Sequence, residues 1–199
     1  MNLIILIISY IIGNFTAAYV LGKILLGKDI RKLGSGNAGA TNALRTFGPA
    51  IGVATLVMDM LKGILALYLA DRFGNEYSVY FAAVVVILGH NWPVFFGFKG
   101  GKGIATSAGV LIYLDIRIFL TVIAVFVIVV IITKYVSLGS ITAAVSAPIL
   151  AYLLSYKYKP YTFWVILLLA TIAIFRHKSN IVRLINKNES KINFKEKRK

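Results

Sequence analysis

Long apolar runs alternate along this chain with short polar interruptions. Stretches of low charge near residues 2–22, 48–70, 78–97, 103–114, 118–133, 138–155 and 161–175 read as candidate helices for crossing a hydrocarbon core of about 30 Å. The pattern predicts an all-α polytopic membrane protein, a bundle of seven transmembrane helices. One count has an alternative: the apolar run from Gly103 to Thr133 is broken only by Asp115 and Arg117, so it also reads as one long tilted helix and a six-helix bundle. The first run has no basic segment before it and no Ala-x-Ala-like site after it, which predicts a retained helix, not a cleaved signal. Residues 1–185 are then expected to form one membrane domain and 186–199 a basic tail.

Composition strengthens this reading. Only 15% of residues are charged, against about 25% in soluble domains, and the mean hydropathy is +0.82. Charge also orients the helices. With seven spans, one side receives residues 23–47, 98–102, Lys134 and the tail from Arg176, which carry 17 of the 22 Lys and Arg residues. The other side holds Arg72, Arg117, Lys157 and Lys159, and Lys62 lies within a span. The positive-inside rule therefore predicts an outside N-terminus and a cytoplasmic C-terminus. The final NFKEKRK reads as a topology signal and a binder of anionic headgroups. It lacks the interleaved aromatics and any recognisable module of nucleic-acid binding. The absence of cysteine excludes thioester intermediates, disulfides and thiolate metal sites.

Three polar segments fall on the basic side: GSGNAGATNALR (Gly34 to Arg45), GHNWPVFFGFKGGKGIAT (Gly89 to Thr106) and RHKSNIVRL (Arg176 to Leu184). In the first, Gly34, Gly36 and Gly39 let successive N–H groups turn toward one point, and a helix beginning near Ala40 adds its positive end. Ser35 and Thr41 add hydroxyls, Asn37 and Asn42 add amides, and Arg45 follows one turn after Thr41 with a fork suited to phosphate. In the second, Lys99 and Lys102 flank Gly100 and Gly101, Gly103 precedes an apolar helix, and Thr106 follows within it. His90 reads either as a cap on this site or as a histidine packed at a helix end. GNAGATNA and GKGIATSA share Gly, Ala, Thr and Ala in register, a faint internal repeat. In the third, His177 and Asn180 share a helix face with Arg176 and Arg183 nearby. Asp59 and Lys62, at i, i+3 within a span, read equally as a helix lock or as direct participants.

The two nucleotide motifs that these glycines suggest fail on context. Gly34 to Gly39 fits G-x-G-x-x-G but follows a membrane span, not a parallel strand. GFKGGKG has three residues between its outer glycines where a P-loop has four, and Gly103 stands at the hydroxyl position. Two histidines and scattered carboxylates form no ligand set, so no metal and no cofactor are expected. Paired carboxylates, a G-x-S-x-G elbow and an acyltransferase His-x₄-Asp pattern are also missing. What remains is donors and cations around phosphate-like groups, which suits a substrate that arrives already activated, such as a mixed anhydride.

LGSGNAGATNALRTFG, DMLKG, GHNWPVFFGFKGGKGIAT and RHKSNIVRL, in this order over essentially the whole chain, resemble the acyl-phosphate-dependent glycerol-3-phosphate acyltransferase family (PlsY) of bacterial membranes. The resemblance implies transfer of a fatty acyl group from acyl phosphate to the 1-hydroxyl of glycerol 3-phosphate, at the cytoplasmic face of the bacterial inner membrane. It releases lysophosphatidic acid and inorganic phosphate. It also implies that Ser35, Arg45 and Lys102 grip the glycerol phosphate, with His177 and Asn180 positioning it. Thr41, the amides around Gly100 to Gly103, and Ser140 in YVSLGS would hold the acyl phosphate. Either a substrate phosphate or His177 takes the hydroxyl proton. The family often has Gly-Thr before its glutamate where this chain has Lys187 and Asn188, which argues against a role for the loop around Glu189. The expected partners are the two substrates and membrane lipids, and the resemblance permits a transient handoff from a soluble acyl-phosphate synthase. A transporter of phosphate esters is the rival class, but its two repeat segments would face the same side.

Overall fold

A computed structural model gives the fold and describes residues 3–157 and 159–192, so the NFKEKRK segment lies outside the described residues. Among the described residues every regular element is helical, and they pack as two compact units, Met1–Ile116 and Arg117–Lys199.

The first unit holds α1 (Leu3–Asn14), α2 (Ala17–Leu26), α3 (Ala40–Phe47), α4 (Pro49–Phe73), α5 (Ser78–Asn91) and α6 (Ile104–Leu114). Its axis is α4, which packs against the other five. Small residues allow the close approach expected where lipid, not water, surrounds the helices. Any side chain at Gly13 would strike the carbonyl of Val86 on α5, and one at Gly109 would strike the carbonyl of Met60 on α4. The α1–α2 break has a local cause. Asn14 Nδ2 donates to the Tyr10 carbonyl at 2.6 Å and Thr16 Oγ1 to the Asn14 carbonyl at 3.1 Å, so side chains compete with the helical ladder. The two helices meet at a bend of 44°.

The second unit holds α7 (Ile116–Thr133, from its boundary residue), α8 (Val136–Ser155), α9 (Pro160–Arg176) and α10 (Lys178–Ile185). Helix α8 packs on α9, and α9 meets α10 at 57° about His177. The chain returns at its end: the Ile192 N–H donates to the Lys134 carbonyl at 2.8 Å, between α7 and α8. Helix α7 is the most apolar, with a mean hydropathy of 3.0 over its best window, and Ile132 on it is 74% exposed, as a lipid-facing side chain should be.

Each apolar run of the sequence becomes helix, but not every one becomes a long helix. Among the described residues four helices are long and apolar enough to cross a membrane, or up to six spans when the bent pairs α1–α2 and α9–α10 each count as one. Between Gly103 and Thr133 the chain forms two helices, not one: Asp115 is extended (φ −162°) and ends α6. Helix α6 has 11 residues, roughly 16 Å at about 1.5 Å per residue, which is short of about 30 Å of hydrocarbon.

Candidate active site

The first glycine turn is built around Asn42. This side chain is buried on the first turn of α3; its Nδ2 donates to the carbonyls of Asn37 (2.9 Å) and Leu33 (3.0 Å), and its Oδ1 accepts the Ser35 N–H at 3.0 Å. Gly34 has φ +57°, and a side chain there would collide with Asn42 Oδ1, so glycine is required on both counts. The turn leaves Ser35 and Arg45 exposed and Thr41 half-buried at the start of α3. Asn42 was expected among the ligand donors. Its amide is instead spent on the loop, and its work is to shape the turn that presents Ser35.

A second glycine turn is tied to the first by Arg31. Its guanidinium holds Asp29 through Nε (3.0 Å) and Nη2 (2.8 Å), donates from Nη1 to the Phe96 carbonyl at 3.0 Å, and lies 4.6 Å over the Tyr19 ring. The Arg31 hydrogen bonds bring the Asp29 carboxyl down to about 2 from its ordinary 3.8. Phe96 leads through Gly97 and Phe98 into Lys99, Gly100, Gly101, Lys102 and Gly103, where α6 begins. Two glycine-rich turns, each opening a helix and each carrying a cation, are thus braced together within one unit. That is the arrangement that holds anions on backbone N–H groups.

Beneath the second turn lie polar groups that the protein leaves unpaired. Asn91 and Thr106 are fully buried, and neither the Asn91 amide nor the Thr106 hydroxyl has a hydrogen-bond partner. A side chain at Gly103 would sit 3.1 Å from Asn91 Oδ1, so the amide faces this turn. Leaving a buried amide and hydroxyl unpaired costs stability, as it does at Thr55, Ser137 and Thr162 elsewhere in the chain. Sequence reading passed over Asn91, whose only signal was its place beside His90. His90 is buried, not reaching outward as a cap. Its Nδ1 meets Lys62 at 2.7 Å, while its carbonyl accepts the Gly101 N–H at 3.1 Å. Lys99 is exposed and Lys102 half-buried between its glycines.

In the second unit His177 sits at the α9–α10 bend, buried, with Nδ1 2.7 Å from the Ala173 carbonyl. A carbonyl only accepts, so Nδ1 carries the hydrogen and Nε2 is the nitrogen that remains able to take a proton. The His177 carbonyl accepts the Asn180 N–H at 2.8 Å. Asn180 Nδ2 donates to Glu189 Oε1 (3.1 Å), and Arg183 Nε donates to Glu189 Oε2 (2.7 Å). Glu189 therefore holds both side chains in place. The Gly-Thr that this chain lacks is replaced without loss of the turn. Lys187 adopts φ +58°, the conformation glycine favours, and Asn188 N–H closes onto the Arg183 carbonyl at 2.8 Å. Ser140 is buried and its hydroxyl donates back to the Val136 carbonyl at 3.0 Å, so its proton is held by its own helix and not offered to a phosphate.

A family model described as glycerol-3-phosphate acyltransferase matches residues 3–187. The chain belongs to the glycerol-3-phosphate acyltransferase family. It is 45% identical over 191 residues to the glycerol-3-phosphate acyltransferase of Alkaliphilus metalliredigens, covering 96% of both chains. It is 42% identical to glycerol-3-phosphate acyltransferase 2 of Thermotoga maritima, covering 94% of both. Among solved structures it is similar to PlsY (YgiH), an integral membrane glycerol 3-phosphate acyltransferase. The glycerol 3-phosphate form matches at a TM-score of 0.89 and 36% identity, covering 96% of this chain and 95% of that one. The lysophosphatidic acid form matches at 0.87 and 35%, with the same coverage. Membership makes this an integral membrane acyltransferase of phospholipid biosynthesis. The relatives are acyltransferases, and nothing in them favours the transporter reading.

Proposed function

We propose that this family member uses acyl phosphate as its donor and acylates the 1-hydroxyl of glycerol 3-phosphate, with its active face toward the cytoplasm and seven membrane crossings, the short α6 with its flanking residues counted as one. The observation that carries the reading is the pair of braced glycine turns in the first unit, which offers two N–H-lined places for phosphate, one for each phosphorylated reactant. That solved relatives were obtained in glycerol 3-phosphate and lysophosphatidic acid forms supports the acceptor and the product.

Within the first unit Ser35, Arg45 and Lys102 grip the glycerol phosphate; within the second, Arg183 holds Glu189 behind Asn180. Thr41 and the amides of the Gly100 to Gly103 turn other than Gly101, whose N–H is held by the His90 carbonyl, hold the acyl phosphate, with Gly36, Gly39, Asn37 and Lys99 shaping and charging the approaches. The hydroxyl oxygen attacks the acyl carbonyl carbon, the bond from that carbon to the phosphate oxygen breaks, and inorganic phosphate leaves with the hydroxyl proton. Cations and N–H groups stabilise the charge that builds on the carbonyl and on the departing phosphate.

The test uses the purified chain in liposomes with labelled glycerol 3-phosphate. A labelled lipid product is expected with acyl phosphate and not with a thioester donor. Product formed only from a thioester overturns the donor, and unchanged label accumulating inside the vesicles overturns the chemistry. Accessibility of tags placed near residues 75 and 187 from opposite sides of the membrane is expected, and same-side access would revise the topology.

A further inference from the structure

At the centre of the first unit three ionisable side chains are buried together. Asp59 and Lys62 stand one turn apart on α4, and His90 lies near the end of α5; none is more than 5% exposed. Lys62 Nζ is 2.7 Å from the Phe15 carbonyl, 2.7 Å from His90 Nδ1 and 2.8 Å from Asp59 Oδ1. The Phe15 carbonyl is available because the break between α1 and α2 denies it a helical donor. A lock between helices needs only Asp59, Lys62 and that carbonyl. His90 is left over, and its far edge explains it: a side chain at Gly101 would fall on His90 Nε2, and one at Gly100 on the His90 carbonyl. Residue 90 therefore meets the second glycine turn with both its ring and its backbone.

The placement of the protons follows from the inventory of donors. Lys62 beside a buried carboxylate is an ammonium, and an ammonium has hydrogens to give and no lone pair. His90 Nδ1 at 2.7 Å must accept, since a protonated ring there would set two cations side by side. Asp59 Oδ1 is 3.6 Å from His90 Nδ1, too far to hold a hydrogen on that nitrogen. The hydrogen is consequently on Nε2, the edge that faces Gly101.

We propose that His90 is a positioning residue whose tautomer is locked by the Asp59–Lys62 pair, so that an N–H, and not a lone pair, is presented to the Gly100–Gly103 turn. The lock keeps the turn's own N–H groups and Lys102 in place for phosphate, and it adds one more positive edge to the surroundings of an anion. This rests on the reading that the turn binds a phosphorylated substrate.

Nitrogen-15 spectra of histidine-labelled full-length protein in lipid nanodiscs test the lock without reference to activity. The chain has two histidines, and a His90→Gln sample assigns their signals by loss. His90 is expected as the neutral Nε2–H tautomer from pH 6 to 8. In a double Asp59→Asn, Lys62→Met variant, which removes both charges together, it is expected as a tautomer mixture, with His177 unchanged. An Nδ1–H or imidazolium signal for His90 in the unaltered protein overturns the proposal. Steady-state kinetics supply the second readout. His90→Asn, which keeps only the Nδ1 side, is expected to raise KM for glycerol 3-phosphate or for the acyl donor about tenfold or more. His90→Gln, which keeps a donor near Nε2, is expected to recover most of this, with kcat within about threefold in both. Equal loss of kcat in both variants with neither KM moved refutes a positioning role. Failure of the acyl-phosphate reading would appear in the donor comparison and leave the spectra as described.

Discussion

The two histidines of this chain are both buried and both stand near helix ends, yet they carry their hydrogens on opposite nitrogens. In the first unit His90 Nδ1 meets an ammonium and accepts; in the second His177 Nδ1 meets the Ala173 carbonyl and donates. The first ring can therefore only give a hydrogen bond toward its glycine turn, whereas the second has its hydrogen on Nδ1 and its lone pair on Nε2. One neighbour on one nitrogen decides what the rest of the ring can do. It follows that only His177 is equipped to compete with a substrate phosphate for the hydroxyl proton.

The strongest way to break the contrast is on the His90 side. Gly101→Ala sets a methyl against the imidazole edge, and kcat/KM is expected to fall about 100-fold while the protein still binds detergent and melts cooperatively. In the other unit, Glu189→Ala removes the carboxylate to which Asn180 and Arg183 both donate. Turnover is expected to drop about tenfold, and Glu189→Gln, which still accepts from Asn180, to lose less. His177→Asn keeps a donor for the Ala173 carbonyl but has no nitrogen where Nε2 was. With phosphate as the proton acceptor, kcat is expected to fall only about threefold, whereas loss of a general base costs about 10²–10⁴-fold.

A smaller effect belongs to the brace between the glycine turns. Asp29 is held at about 2 in the folded chain against 3.8 ordinarily. Its contribution to stability is therefore complete above the ordinary value and is lost as pH falls through the folded one. The brace is expected to stay intact at pH 5, and Asp29→Asn to lower the melting temperature at pH 7 and by much less at pH 2, where the folded carboxyl is about half protonated. The smallest change is Lys187→Gly, which relieves a left-handed backbone. It is expected to stabilise the second unit by about 1 kcal/mol or less, read from the melt, without altering KM.

What could be read beforehand follows the range of the interactions. Apolar runs and single breakers act locally, so the helices were legible, and so was the start of α3 near Ala40. Asp115 was visible as an interruption, but only the backbone shows that it ends α6. Side-chain direction was not legible. Asn42 has the composition of a ligand donor and turns out to face its own loop, and Ser140 gives its hydroxyl to its own helix. Long-range partners were hidden as well: nothing in DMLKG announces that Lys62 reaches a histidine 28 residues on, and nothing in KDIRK shows that Arg31 spans to Phe96. The contacts of Glu189 were hidden too, because residue identity does not give backbone conformation, and Lys187 reaches a glycine-like turn.

The interruption between α1 and α2 bears on how the chain is built. A carbonyl left open inside an apolar bundle is poorly tolerated until something donates to it, and the donor sits on a helix that emerges from the ribosome 47 residues later. Insertion of the leading segment is thereby coupled to insertion of α4. A nascent chain halted before Lys62 should be caught with its first bend still exposed to proteases and insertion factors.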